Sequence, residues 1–177
     1  MKSVDFRELQ PKVLKLDTVI KPFESEDSDL NDFLKNDAKN YLKQRLAVTY
    51  LFETNTETVA YFCLSNDNIR REVDMATWKV INKKVPNAKR KGAYPAVKVG
   101  RLAVSREYAG NGFGKRMLNT VKEMYLNDEQ RAGCRFVVVD AYCNALDFYQ
   151  RNGFNFFTES DAEKHTRIMY YDLKAIE

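Results

Sequence analysis

The sequence predicts an α/β domain built on a mixed sheet, and three observations carry that expectation. Short β-branched and aromatic runs dominate both ends of the chain, from Val48 to Leu64 and again from Phe136 to Leu173. Apolar residues at helical spacing lie between them, most clearly Phe113, Met117, Leu118, Val121, Met124 and Tyr125. Phe136-Val137-Val138-Val139 is continuously apolar, as suits a strand covered on both faces. Strands at both ends with helices packed between them point to that class.

Each element follows from its local pattern. Leu30, Phe33, Leu34, Ala38, Tyr41 and Leu42 recur at helical spacing, so one long helix or two short ones should cover about 29–45, with Ser28 or Asp29 as N-cap. Val48–Glu53 and Thr58–Leu64 read as strands of a hairpin, joined by Thr54-Asn55-Thr56-Glu57. Met75–Asn82 reads as a helix, Val85–Tyr94 as a basic loop, and Ala96–Val104 as a strand with Val97, Val99 and Leu102 in the core. An amphipathic helix begins at Phe113, and the strand Phe136–Val139 leads to a further helix on which Ala145, Phe148 and Tyr149 share a face. That helix should stop at Asn152-Gly153, a favoured C-terminal cap. Phe154–Phe157 and Arg167–Leu173 finish as strands. No repeat, low-complexity tract or linker interrupts the 177 residues, so residues 1–177 are expected to form a single domain.

Composition excludes several function classes. Hydrophobic residues at 44% and aromatics at 12% are too many for a disordered chain. No apolar run approaches the ~18 residues of a membrane span, and Met1-Lys2-Ser3-Val4-Asp5 lacks the apolar core of a signal peptide, so a cytoplasmic protein without membrane contact is expected. Cys63, Cys134 and Cys143 form no CxxC pair, and His165 is the single histidine. Neither a disulfide framework nor a metal site is expected. The cysteines read as core or bystander thiols and His165 as a surface residue.

The formal net charge of +4 hides an asymmetry. Residues 75–106 hold nine basic side chains and no acidic one: Lys79, Lys83, Lys84, Lys89, Arg90, Lys91, Lys98, Arg101 and Arg106. Such a stretch attracts a polyanion, or it is a solvated loop whose charge is paired by acids elsewhere in the fold. Trp78, beside it, stacks on a base or packs in the core.

Glycine is equally uneven. None of the seven precedes Gly92, and three fall within five residues, Gly110, Gly112 and Gly114. They lie between the strand ending at Val104 and the helix opening at Phe113. There the first helical N–H groups lack internal acceptors and favour an anion, and glycines let the backbone approach a phosphate. Lys115 and Arg116 add positive charge. Walker A fails at Ala109 and Arg116, and the dinucleotide fingerprint fails at Lys115.

The segment instead resembles the pyrophosphate-binding turn of the GNAT acetyltransferase superfamily, Gln/Arg-x-x-Gly-x-Gly/Ala, with Gly112 and Gly114 as its glycines and Ala109 in place of Gln/Arg. A second motif, Ala145-Leu146-Asp147-Phe148-Tyr149-Gln150-Arg151-Asn152-Gly153-Phe154, is similar to the family's A-x-x-F-Y-x-x-x-G-F helix and strand. The Asn often found three residues before that Ala is Tyr142 here, with Asn144 adjacent to the Ala. Val99–Val104, Val139-Asp140-Ala141, Leu30–Leu34 and Ala47–Tyr50 resemble the toxin-type branch. Its members acetylate the amino group of aminoacyl-tRNA beside a ribbon-helix-helix antitoxin.

The resemblance implies a mostly antiparallel central sheet flanked by helices, acetyl-CoA as co-substrate, and a possible homodimer. It implies a CoA site made of Leu102, Ala103, Val104, Ala109, Gly110, Asn111, Gly112, Phe113, Gly114, Lys115, Asn144 and Phe148. Tyr149 matches the family's general acid toward the CoA sulfur; read without the family, it is a core aromatic whose hydroxyl reaches water. The general base is open among Glu72, Asp74 and Asp140, each of which also reads as a solvated or capping carboxylate. Lys83, Lys84, Lys89, Arg90 and Lys91 would flank the acceptor. Aminoacyl-tRNA, a protein or a small amine remain alternative acceptors, and the departure at Ala109 leaves open a non-catalytic CoA-binding module.

Overall fold

The structure is a computed structural model that describes residues 4, 8–71, 74–83, 85, 92–126 and 132–176. Its strands are β1 (Lys12–Val13), β2 (Val48–Glu53), β3 (Thr58–Arg70), β4 (Ala93–Val104), β5 (Phe136–Tyr142), β6 (Asn155–Phe156) and β7 (Thr166–Asp172). They form one sheet in the order β1-β2-β3-β4-β5-β7-β6. The pairs β1–β2, β2–β3, β5–β7 and β6–β7 are antiparallel and β4–β5 is parallel, so the sheet is mixed and mostly antiparallel, as expected. The helices are α1 (Ser28–Asp32), α2 (Ala38–Lys43), α3 (Met75–Lys83), α4 (Phe113–Leu126) and α5 (Leu146–Arg151). Among the described residues, no helix is long and apolar enough to cross a membrane. The chain falls into two compact units, Met1–Ser65 with Val99–Val121, and Asn66–Lys98 with Lys122–Glu177.

In the first unit, Leu14, Phe33, Leu34, Ala38, Leu51, Tyr61 and Ala103 share a buried cluster. The expected helix over 29–45 is α1 and α2 joined by a π-helical turn at Phe33–Asp37. The extra residue per turn lets the adjacent Phe33 and Leu34 both face inward. The N-cap is Asp27, one residue ahead of the expected Ser28 and two ahead of the alternative Asp29. Its extended backbone turns the carboxylate onto the N–H groups of Asp29 and Leu30, at 2.9 and 3.4 Å. The expected hairpin is present, and Thr54 Oγ1 closes its turn by accepting the N–H groups of Thr56 and Glu57. Tyr61 ties strand to helix by donating its hydroxyl to the Leu30 carbonyl at 2.7 Å.

In the second unit the core is Ile69, Trp78, Ile81, Tyr94, Ala96, Phe136, Val138 and Phe157. Trp78 stacks on Tyr94 with centroids 4.9 Å apart, so it is a packing residue. Strand β5 runs to Tyr142, past the apolar run that marks it in the sequence, because Asp140 and Tyr142 point outward while Ala141 points in. Strand β4 starts at Ala93, inside the expected loop, where Pro95 accepts the Arg135 N–H at 3.0 Å. The parallel ladder of β4 with β5 runs from Ala96↔Phe136 to Lys98↔Val138. Past that point β5 keeps its pairing with β7 as far as Tyr142↔Thr166.

Candidate active site

The glycine turn belongs to the first unit. Strand β4 passes into Ser105, whose N–H donates to the Val59 carbonyl at 2.8 Å, and then into a 3₁₀ turn at Arg106–Tyr108. Tyr108 anchors that turn. It is buried, its hydroxyl donates to Glu57 Oε1 at 2.8 Å, and its ring meets Phe113 edge to face at 6.0 Å. Gly110 and Gly112 both have φ of +80°, a conformation that side chains resist. An added Cβ at Gly112 would meet nothing within 4 Å, so the bend is required and the space above it is open. Gly114 lies within the first turn of α4.

The first turn of α4 closes with the Arg116 N–H on the Gly112 carbonyl at 3.1 Å, so the amides of Gly114 and Lys115 have no acceptor within the helix. The 14-residue helix adds its dipole to these donors, an arrangement suited to a phosphate group. Asn111 and Lys115 are exposed beside it, and Ala109 is half-buried. Phe113 can contribute only backbone, since its ring is in the core. In β4, Ala103 is buried in the first unit's cluster, while Leu102 and Val104 alternate to the other face and are half-buried.

Tyr149 and Phe148 belong to the second unit. Helix α5 ends in a Schellman cap: the Gly153 N–H donates to the Gln150 carbonyl at 2.9 Å and the Phe154 N–H to the Tyr149 carbonyl at 3.1 Å. Gly153 has φ +83°, the left-handed residue this cap requires. The Tyr149 ring lies between the edges of Phe148 and Phe154, at 5.1 and 5.4 Å. Desolvation pushes its phenol up to about 12. Its hydroxyl has no hydrogen-bond partner among the described residues, so a protonated donor is held in place and unspent. Asn144 is exposed in the turn before α5.

Lys122, which the sequence reading passed over, supports this cap. Its ammonium donates to the Asn152 carbonyl at 2.8 Å and lies 3.8 Å from the centre of the Tyr171 ring. A signal existed: Lys122 continues the buried face of Met117, Leu118 and Val121, where a lysine is out of place without partners.

The carboxylates considered as bases are committed otherwise. Asp74 caps α3 through the Thr77 N–H at 2.7 Å, and that bond, ahead of its contact to Thr158, holds its carboxyl below the ordinary range. Asp140 pairs with Lys98. Glu72 lies outside the described residues, as do Lys84, Lys89, Arg90 and Lys91. Lys83 is exposed at the end of α3. Three other basic residues of the 75–106 segment are paired by acids: Lys98 by Asp140, Arg101 by Asp29 at 3.9 Å and Arg106 by Glu24 at 3.5 Å. His165 is exposed, with its ring against Tyr142. Among the described residues, no group of acidic, histidine and cysteine side chains is placed to hold a metal ion.

A family model described as an acetyltransferase (GNAT) domain matches residues 85–175. No curated protein sequence matches the chain. Solved structures share the fold over nearly all of it. A mutant of the toxin AtaT bound to the C-terminus of the antitoxin AtaR and acetyl-CoA has a TM-score of 0.73 at 19% identity, covering 96% of each chain. AtaT complexed with acetyl-methionyl-tRNAfMet has a TM-score of 0.75 at 22% identity, covering 96% of this chain and 97% of that one. A mutant of KacT has a TM-score of 0.75 at 22% identity, covering 94% of this chain and 97% of that one.

Proposed function

The chain belongs to the GNAT acetyltransferase family and is an acetyl-CoA-dependent N-acetyltransferase, and from that premise we propose that its acceptor is the free amino group of an aminoacyl-tRNA. The observation that carries the acceptor is the likeness, over 96% of this chain, to AtaT complexed with acetyl-methionyl-tRNAfMet. The same set of likenesses, which includes AtaT bound to the antitoxin AtaR, supports an antitoxin as partner. It also supports a single catalytic domain over residues 1–177, acting in the cytoplasm where charged tRNA is found.

The residues present fit acetyl-CoA. The open face above Gly112 and the amides of Gly114 and Lys115 suit its pyrophosphate, with Ala109, Gly110, Asn111 and Phe113 contributing backbone. Leu102, Ala103 and Val104 would hold the pantetheine arm through their backbone, and Asn144 and Phe148 complete the set. Acetyl-CoA supplies the activated thioester and a thiol leaving group.

Tyr149 serves as the hydrogen-bond donor at that sulfur. The amine nitrogen bonds to the acetyl carbon, the carbon–sulfur bond breaks, and one amine proton is lost, so a proton must reach the departing thiolate. A phenol at about 12 stays protonated throughout the neutral range. Against a thiol near ~8.5 it favours a charge-assisted hydrogen bond to the thiolate over outright surrender of its proton. Tyr149 therefore steadies the thiolate through that hydrogen bond, and the proton that water takes from the amine balances the one the thiolate finally gains from solvent. An α-amino ester titrates below the ~8 of an ordinary α-amine, so water suffices to take the amine proton. The commitment of Asp74 to its helix cap accords with that.

The test mixes the protein with labelled acetyl-CoA and total tRNA, charged in one tube and deacylated in the other. Label in the charged tube alone supports the reading. No label in either, with acetyl-CoA binding confirmed by calorimetry, moves the acceptor to a protein or a small amine. Tyr149→Phe should lower kcat about 100-fold or more. Turnover near that of the wild type would sink its role.

A further inference from the structure

A pocket of about 270 Å³ opens on the second unit where the β4–β5 ladder ends. Its floor is apolar: Ile69, Val138 and Phe157 are each at most 5% exposed, and Ile168 packs beside them. Its rim carries the Lys98–Asp140 ion pair together with Asp67, Asn68 and Arg70. Lys98 and Val138 form the last ladder pair, and Asp140 is the next residue of β5 on the same face. Lys98 reaches Asp140 through Oδ2, and Oδ1 carries no hydrogen bond among the described residues.

We propose that this pocket receives the aminoacyl group of the acceptor, with an apolar side chain on the floor and its amine on Asp140. The inference rests on the aminoacyl-tRNA reading and narrows it to a class of amino acid. Size and chemistry both select. The volume lies below the ~300–1,000 Å³ of ordinary small-molecule sites, enough for one side chain and its amine but not for a peptide segment. A carboxylate at the rim of an apolar floor matches an α-amino ester, whose N–H groups and side chain branch from the same α-carbon. That amine donates an N–H to Oδ1 and keeps its lone pair free to attack. A charged or strongly polar side chain would lose its water against the four apolar floor residues and could regain partners only by turning back to the rim.

The test is a panel of individually charged tRNAs, acetylated by the full-length protein with labelled acetyl-CoA. Esters of methionine, leucine, isoleucine, valine and phenylalanine stand against those of aspartate, glutamate, lysine and arginine. For the apolar group kcat/KM should be higher by about 100-fold or more. Ile168→Phe should shift the preference toward smaller apolar side chains and Ile168→Ala toward larger ones. A purely structural effect would move every ester alike. Asp140→Asn should raise KM for the good acceptors about tenfold while kcat changes by less than about threefold. Equal acetylation of charged and apolar esters overturns the proposal while leaving the acceptor reading intact, as does a ranking that neither Ile168 variant moves. No acetylation of any charged tRNA overturns the acceptor reading itself and the pocket's role with it.

Discussion

The carbonyl of Tyr149 accepts the N–H of Phe154 at 3.1 Å, and the two rings meet edge to face at 5.4 Å. Backbone and side chain thus fix the same residue twice, and the hydroxyl at its tip has no hydrogen-bond partner among the described residues.

That double hold depends on Gly153. Alanine there takes on a left-handed backbone, costing about 1–2 kcal/mol, and sets its Cβ 3.0 Å from Tyr171 Cε2. Gly153→Ala should therefore lower stability by at least that amount in chemical denaturation. It should also reduce kcat, because Tyr149 shifts with its cap.

Gly112 separates conformation from crowding. It has the same sign of φ, but a Cβ there would meet nothing. Gly112→Leu should keep the fold, with a modest fall in melting temperature, and lose at least about tenfold in acetyl-CoA affinity, or 1.4 kcal/mol, by calorimetry. Retained affinity would put the phosphate site elsewhere.

The Tyr149 phenol sets a pH signature. Its folded value of about 12 lies above the ordinary 10.0, because burial disfavours the phenolate. The protonated donor is the active form, so Tyr149 should impose no alkaline fall in kcat below about pH 11. Its contribution to stability is complete below about pH 10 and is lost as pH rises from there through about 12. Tyrosinate absorbance removed by Tyr149→Phe should be absorbance that appears near pH 12.

Asp74 works in the opposite sense. Its carboxyl lies below the ordinary range, chiefly through the Thr77 N–H, so its contribution is present above the unfolded value and is lost as pH falls through the folded one. Asp74→Asn should flatten that part of the acid-unfolding curve and leave neutral-pH acetylation of the good acceptors unchanged.

What the sequence made legible was whatever a local rule controls. The two glycines with positive φ, the cap at Asn152-Gly153 and the amphipathic face of α4 all follow from short-range stereochemistry, and all lie where expected. Strand lengths were less legible. Edge strand β1 exposes both of its residues and offers no alternation to read, and β5 continues through outward-facing polar positions. The pocket below Asp140 was illegible for another reason. Ile69, Val138, Phe157 and Ile168 come from four separate stretches of chain, and only the folded sheet brings them together.

The pairing of Lys98, Arg101 and Arg106 with acids has a consequence for ionic strength. Of the nine basic residues between 75 and 106, those three already have protein counter-charges, so at most six could displace condensed cations from a nucleic acid. At a slope of about −0.9 per neutralised duplex phosphate, this segment can contribute no more than about −5 to the dependence of log K on log salt.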